Sequence, residues 1–208
     1  MGNPKEHFDS VTASTTWAFT LISLALILVR LTWRYRRGQK FSKDDFWMVV
    51  SIAPLLLRLA SSYIAVVFLT AHFNRAAISE DQMSAAEVRR RTIGSIAVLP
   101  GRVCYAGFLW CMKASILGWF EKVTAMEKPY AMLIRIAYVS LVISFVGVVL
   151  STFLECQPLH LYWQVWPDPG ECVAAKAQLV TMGLLNMYGT LLSSGCATDC
   201  AADQRTCT

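Results

Sequence analysis

The sequence predicts an all-α bundle of about five membrane-spanning helices, and two observations support this fold class. Hydrophobic residues make up 55% of the 208 residues and charged residues only 16%, a balance too apolar for an ordinary soluble domain. The apolar residues also fall into runs of about 20, the length that crosses a bilayer as a helix. A single membrane domain is therefore predicted over 1–195, followed by a short polar tail over 196–208.

The first and fourth predicted spans, at 12–32 and 136–154, have uncharged apolar cores. Neither 11–29 nor 136–154 contains a charged residue, and such a segment must be helical in lipid to satisfy its own backbone hydrogen bonds. In the first span the basic residues mostly follow the apolar core. A secretory signal peptide has the reverse order, so this span is predicted to remain in the membrane.

The other three predicted spans are interrupted or more polar. They cover 46–71, 96–120 and 177–195. The second carries Pro54 and Arg58 near its middle, the third carries Arg102 and Lys113, and the fifth is rich in Gly, Ser, Thr and Asn. Charged groups in lipid are costly and commonly face a bundle interior or a watery cavity. Arg102 and Lys113, like Arg30 of the first span, lie near span ends, where long side chains are expected to reach the interface.

Arg58 has two interpretations that the sequence leaves open. It lines a polar ligand pocket, or it faces solvent from a shorter or displaced helix. No acidic residue lies within the five predicted spans, so we expect no carboxylate partner inside the membrane. Arg58, with Lys113 and Ser115 of the third span, forms the candidate ligand pocket. Small residues such as Gly101, Gly107 and Gly147 are predicted to allow close helix packing.

A charged block between the first two spans predicts the topology. It consists of Arg34, Arg36, Arg37, Lys40, Lys43, Asp44 and Asp45. By the positive-inside rule its five basic residues stay in the cytoplasm, which places the N-terminus outside. Asp44 and Asp45 are predicted to cap the second helix and favour its dipole. The expected location is the plasma membrane or an endomembrane.

The loop at 72–91 opposes this orientation, because it lies outside and carries four arginines. Ser79 and Gln82 stand at capping-box spacing there, which predicts a short exposed helix before the third span. A re-entrant second segment is the alternative topology. The basic residues fill short gaps between apolar runs and form no single exposed face, so nucleic acid is not an expected partner.

Cys156 and Cys172 share the predicted outer loop, where an oxidising compartment favours a disulfide between them. Cys104, near the outer end of the third span, is an alternative partner for either. The prolines and glycines of this loop predict a stapled, hairpin-like lid. No catalytic motif is present and the three histidines are scattered, so we expect no enzyme activity, no metal site and no cofactor.

Four segments resemble the fungal rhodopsin-like domain family, a group of integral membrane proteins with seven predicted spans. They are ILVRLTWRYRRGQKFSKDDFW, MKASIL, FLECQPLHLYW with GEC, and GLLNM. The order and spacing of these segments extend the resemblance over about 12–187. It implies a receptor-like topology: some members are proposed to sense extracellular cues, and others are similar to proteins encoded within secondary-metabolite gene clusters. The family name does not imply retinal, which needs a Schiff-base lysine in a seventh span.

Two function classes follow from this resemblance. The first is a sensor of an extracellular small molecule, in which the basic loops at 34–43 and 121–135 meet a cytoplasmic signalling partner or anionic lipid. The second is a transporter or an accessory of secondary metabolism. Inverted repeats or paired broken helices are typical of transporters, whereas Pro54 is the single interruption found. The sequence therefore favours the sensor.

The C-terminal segment departs from the family pattern. After LLNMYG the family continues with a Thr-Asp pair, a Leu-Pro motif and two further spans, whereas this sequence reads TLLSSGCATDCAADQRTCT. The resulting hypothesis is a truncated or misannotated gene product, non-functional because five spans do not complete a seven-span bundle.

Overall fold

The computed structural model describes residues 4–68, 85–123, 128–164 and 176–206, and every regular element in them is helical. The long helices, in chain order, are α1 (Pro4–Arg36), α2 (Lys43–Val67), α3 (Ala85–Val123), α4 (Lys128–Leu154) and α5 (Lys176–Thr206). A 3-10 helix at Leu159–Tyr162 follows α4. The predicted all-α helical bundle is confirmed.

Four helical segments are long and apolar enough to cross a membrane. They are Ser14–Arg36, Lys43–Val67, Val88–Val123 and Met132–Leu154. Their outward apolar side chains are exposed, as lipid-facing side chains are: Leu26, Val29 and Ile143 are 64 to 67% exposed. The fifth predicted span corresponds to α5, which is not among the segments that meet these criteria in the described part of the chain.

Two boundaries differ from the sequence-based expectation. Within the described residues, α3 begins at Ala85 and runs unbroken into the third span, so the segment before that span is not a separate short helix. Good helix formers fill its first turns, and Pro100 sits inside the helix without ending it. The predicted caps Ser79 and Gln82 lie outside the described residues. At the other end of the chain, α5 is helical through Thr206, well into the predicted polar tail.

The helices pack around α3, which contacts α2, α4 and α5. On α3, buried apolar residues recur at helical spacing, so they form one stripe facing its neighbours. This core consists of Ala106, Trp110, Ala114 and Leu117 of α3, Ala137, Leu141 and Val148 of α4, and Met182 of α5. A smaller cluster of Ile27, Met48 and Leu55 joins α1 to α2.

The predicted glycines lie where helices contact one another. A Cβ atom added at Gly101 would lie 3.2 Å from the Cβ of Ser61, and one added at Gly107 would lie 3.7 Å from the Cβ of Pro54. A Cβ atom at Gly147 would similarly lie 3.4 Å from a leucine of α5. Gly101 makes the close approach predicted for it, whereas the distances at Gly107 and Gly147 are those of ordinary van der Waals contact, so the role of these two glycines stays a prediction. The close contact between α2 and α3 also frames a cavity between these two helices.

Candidate functional site

A cavity of about 220 Å³ lies between α2 and α3, in the half of the bundle away from the α1–α2 connection. Its polar lining residues are Arg58, Ser61, Ser62, Arg102 and Tyr105. The remaining lining residues are small or aliphatic, which leaves the polar groups room to face the cavity.

We refer to the half of the bundle that contains residues 37–42 and the end of α3 as the basic end, and to the half that contains the 3-10 helix as the opposite end.

Arg58 lines this cavity from α2, where its side chain is half-buried. Its guanidinium carbon lies 4.0 Å from the centroid of the Tyr105 ring on α3, a cation–π distance. The stacking holds the guanidinium plane while leaving its five N–H groups to be used by other partners. Arg58 thus lines a cavity, as one of the two interpretations of its mid-span position predicts.

Arg102 connects the cavity to the opposite end of the bundle. Its guanidinium donates hydrogen bonds to the hydroxyl of Tyr162 and, over 3.3 Å, to Oε1 of Gln178. Tyr162 and Gln178 are only 1% and 2% exposed. Burial raises the pKa of the Tyr162 hydroxyl, with the Glu155 carboxylate acting in the same direction and Arg102 against it. The hydroxyl therefore keeps its proton while it accepts the hydrogen bond from Arg102.

Glu155 fixes the start of α5 beside the Tyr162 hydroxyl and Gln178. Its Oε1 atom accepts hydrogen bonds from the backbone N–H groups of Ala177 at 2.9 Å and Gln178 at 3.4 Å. A carboxylate at a helix N-terminus is favoured by the helix dipole as well as by these bonds. Because Gln178 also accepts from Arg102, the cavity is linked to the N-terminus of α5 by one chain of polar contacts.

Neither cavity arginine forms an ion pair with a carboxylate of the described residues. The ion pairs found there involve Arg30, Arg34 and Lys43, all at the basic end. Arg58 and Arg102 are instead held by an aromatic ring, a hydroxyl and an amide oxygen. The cavity thus presents two positive charges that these neutral partners do not neutralise.

The other two candidate pocket residues lie elsewhere. Lys113 is buried, 8% exposed, and its Nζ donates to the backbone oxygen of Asn186 over 2.7 Å. The expectation that Lys113 reaches the membrane interface is therefore wrong, because its ammonium group is held inside the bundle by a backbone carbonyl of α5 and lies 5.0 Å from the centroid of the Trp110 ring. Ser115 donates over 2.9 Å to the backbone oxygen of Asp44. Both side chains join α3 to neighbouring helices, and neither lines the cavity with Arg58.

A comparison with known families identifies the chain. The family model described as the fungal rhodopsin domain matches residues 29–192, more than three quarters of the sequence. The chain belongs to this family. The match confirms the resemblance seen in the sequence motifs and, with the four apolar helices, makes this a multi-pass integral membrane protein. Neither a curated protein nor a solved structure matches the chain.

At the basic end of this fungal rhodopsin domain, Asp44 and Asp45 differ in role. Asp45 accepts a hydrogen bond over 3.2 Å from the backbone N–H of Ser42, the residue that precedes α2, which is the predicted capping role. Asp44 is fully buried and forms ion pairs with Arg30 and Arg34, a contact that the sequence reasoning missed. Arg34 also pairs with Asp45.

One signal in the sequence points to this contact. Arg30 and Arg34 stand four residues apart and therefore lie on one face of α1, just before the chain turns back to the two aspartates. The sequence predicts that Arg30 extends to the membrane interface. In the structure its guanidinium instead forms an ion pair with Asp44 at 3.1 Å. The remaining basic residues of the block, Arg36, Arg37, Lys40 and Lys43, are exposed.

The cysteines of the fungal rhodopsin domain are only partly described. Cys104 and Cys111 are free thiols, so the alternative in which Cys104 replaces a partner in the loop disulfide is wrong. Cys156 is buried, 1% exposed, whereas Cys172 lies outside the described residues. The Cys156–Cys172 disulfide stays a prediction. Within the described part of the chain, no three His, Cys, Asp or Glu side chains group as metal ligands would.

Proposed function

We propose that this membrane protein is a receptor-like sensor that binds a small anionic molecule in the cavity between α2 and α3. The observation that carries the proposal is the pair of arginines, Arg58 and Arg102, which line one cavity without an ion-pair partner among the described residues. Guanidinium groups bind carboxylates and phosphates in a two-pronged geometry. Inside a bilayer such unneutralised charges are retained mostly for a functional reason.

The neighbouring groups suit a small organic acid. Ser61 and Ser62 add hydroxyl groups that donate to an anion, and the Tyr105 ring adds an aromatic wall. A cavity of about 220 Å³ limits the ligand to a compact molecule. A carboxylic acid with a short apolar or aromatic body fits this combination of charge, hydroxyl groups and size.

The proposed orientation gives the ligand access from outside the cell. Arg58 lies 15 residues along α2 from Lys43, or about 22 Å from the basic end at 1.5 Å per residue. With the basic block in the cytoplasm and the N-terminus outside, the cavity lies in the outer half of the membrane. We propose that the loop stapled by Cys156 and Cys172 covers this entrance, in the plasma membrane or an endomembrane.

Arg102 offers a route from ligand to response. A bound anion competes with Tyr162 and Gln178 for its guanidinium, which weakens the tie between α3 and the start of α5. The ligand thereby favours one arrangement of α5 over another, as a two-state sensor requires. A cytoplasmic signalling partner would read that change at the exposed basic loops. An accessory role in fungal secondary metabolism is compatible with the same site, since it requires the same recognition of a small acid.

Ligand binding can be tested with the full chain purified in nanodiscs. The probes are a panel of compact aliphatic and aromatic carboxylic acids, each paired with its uncharged methyl ester, and the readout is the thermal unfolding midpoint. We expect some acids to raise the midpoint and their esters to leave it unchanged. Arg58→Gln should weaken binding by roughly 10- to 100-fold, because a hydrogen bond to a charged group is lost.

The matched control is Arg36→Gln, which removes the same charge from the exposed basic block. It should bind the acids as the unaltered chain does. Equal stabilisation by acids and esters would contradict an anion site, and so would unchanged binding in the Arg58→Gln variant. Flux of the acid across proteoliposomes distinguishes the sensor from a transporter, because a sensor gives binding without flux.

A further inference from the structure

A second, larger cavity opens at the basic end between α1 and α3. Its volume is about 880 Å³. The wall on α1 is formed by Leu26, Val29, Arg30 and Trp33, and the wall on α3 by Trp119 and Lys122. We call this cavity the basic groove. It is separate from the proposed ligand cavity, which lies in the other half of the bundle and shares no lining residue with it.

The α1 wall changes from apolar to polar in the direction of the membrane surface. Leu26, Val29, Arg30 and Trp33 are spaced as one helical face. Leu26 and Val29 are 64% and 65% exposed, and Trp33 lies about 10 Å nearer the end of α1 than Leu26 does. Indole and guanidinium groups at that level, above exposed aliphatic groups, reproduce the order of headgroup and acyl chain in a phospholipid.

The α3 wall repeats this order. Trp119, 48% exposed, comes one turn before Lys122, which is exposed at the end of the helix. Each indole therefore lies about one turn from the end of its own helix, and both line the groove. Arg37 lies outside the groove, with its guanidinium carbon 4.8 Å from the Trp33 ring centroid, and adds a further cation to this region.

The charges at the top of the groove leave a positive excess. Arg34 forms ion pairs with Asp44 and Asp45, and its side chain is only 16% exposed. Arg30 shares Asp44 but remains 40% exposed, and Lys122 has no ion pair with a described carboxylate. The neighbouring Glu121 is paired with Lys43. Asp44 also lines the groove, but it is fully buried behind its two arginines. The accessible charged groups are thus cationic, so charge complementarity favours an anionic occupant.

We propose that the basic groove binds the headgroup of one anionic phospholipid of the surrounding bilayer. Lys122 and Arg30 contact the headgroup phosphate, the indoles of Trp33 and Trp119 flank the glycerol region, and an acyl chain lies along Leu26 and Val29. A free phosphate would leave this apolar lower half unfilled. A bilayer lipid reaches the groove from the side, because the groove is open and its exposed aliphatic wall belongs to a membrane-spanning segment.

The test is native mass spectrometry of the full chain released from phosphatidylcholine nanodiscs that contain phosphatidylserine. We expect one phosphatidylserine to stay bound per chain while phosphatidylcholine is released. Lys122→Gln should weaken this binding about fivefold, and Arg30→Gln together with Lys122→Gln about 25-fold, since each basic group near a membrane surface contributes about a factor of five. The single variant leaves the Arg30–Asp44 pair intact, so it remains informative if the double variant folds poorly.

The matched control is Lys40→Gln, which removes one exposed lysine at the same end but outside the groove. It should retain phosphatidylserine as the unaltered chain does. Equal retention of phosphatidylcholine and phosphatidylserine would overturn the proposal. So would an equal loss in the Lys40→Gln and Lys122→Gln variants, which would mean that the charge attracts lipid without a defined site.

Discussion

Asp44 contacts α1 and α3 through one carboxylate oxygen and its backbone oxygen, while its buried Oδ1 atom has no hydrogen-bond partner among the described residues. Its side chain is fully buried against Arg30 and Arg34, and its backbone oxygen accepts the Ser115 hydroxyl. A buried carboxylate is tolerated only when paired and hydrogen-bonded, because desolvation of a lone charge costs several kcal/mol. Asp44 therefore joins α1, α2 and α3 at the basic end, whereas Asp45 mainly caps α2.

Replacing Asp44 tests this difference. Asp44→Asn should lower the free energy of unfolding by about 3 kcal/mol, because it removes the negative charge that Arg30 and Arg34 share inside the protein. Unfolding in mixed micelles with increasing dodecyl sulfate, followed by tryptophan fluorescence, measures the change. The control is Lys43→Gln, which breaks the exposed pair with Glu121 and should cost less than about 1 kcal/mol. Equal costs for the two variants would refute a special role for Asp44.

Among the helices, α3 packs against α2, α4 and α5 and approaches α2 closely. Small residues allow this, because they let two backbones come near each other. Gly118 has the shortest such contact among the glycines of α3: an added Cβ would lie 3.1 Å from the backbone nitrogen of Asp44 and 3.3 Å from the Tyr138 hydroxyl. Gly183 of α5 has nothing within 4 Å of its added Cβ. The two glycines thus differ in the space available for a side chain, although both lie within helices.

This difference predicts opposite effects of the same substitution. Gly118→Ala should destabilise the bundle by about 1 to 3 kcal/mol, because the backbone of α2 has no room to move away from the new methyl group. Gly183→Ala should be neutral or stabilising by up to about 1 kcal/mol, because alanine is the better helix former. The same unfolding titration measures both variants. A destabilised Gly183→Ala variant would show that helix contact is not the deciding factor.

For the whole molecule, the sequence predicts the elements better than their mutual placement. Apolar run length identifies α1, α2 and α4, because lipid imposes a minimum on each span. The same pattern does not fix the rotation of a helix about its axis. The sequence therefore predicts the pocket only in part. Arg58 lines the cavity, whereas Lys113 and Ser115, which are predicted for the same pocket, contact other helices. The Arg34–Asp44 contact likewise required knowledge of how α1 folds back on α2.

The orientation in the membrane is a prediction for the whole molecule. The basic block should hold the α1–α2 connection in the cytoplasm, while the arginines at 72–91 oppose it, so the preference for an outside N-terminus should be small. A glycosylation acceptor fused to the N-terminus should be modified in most chains. Changing Arg36, Arg37 and Lys40 to Gln should lower the modified fraction severalfold, because the opposing arginines then dominate. These three are exposed, and Arg34 is kept so that its ion pairs survive.

The control for this experiment preserves charge at the same three positions. Arg36→Lys, Arg37→Lys and Lys40→Arg together should leave the modified fraction unchanged, because the positive-inside rule depends on the number of basic residues near the span and not on their type. An unmodified N-terminus in the unaltered chain would show the opposite orientation, with the N-terminus in the cytoplasm. It would also place the arginine cavity in the cytoplasmic half of the membrane, so that any anion bound there would have to come from inside the cell.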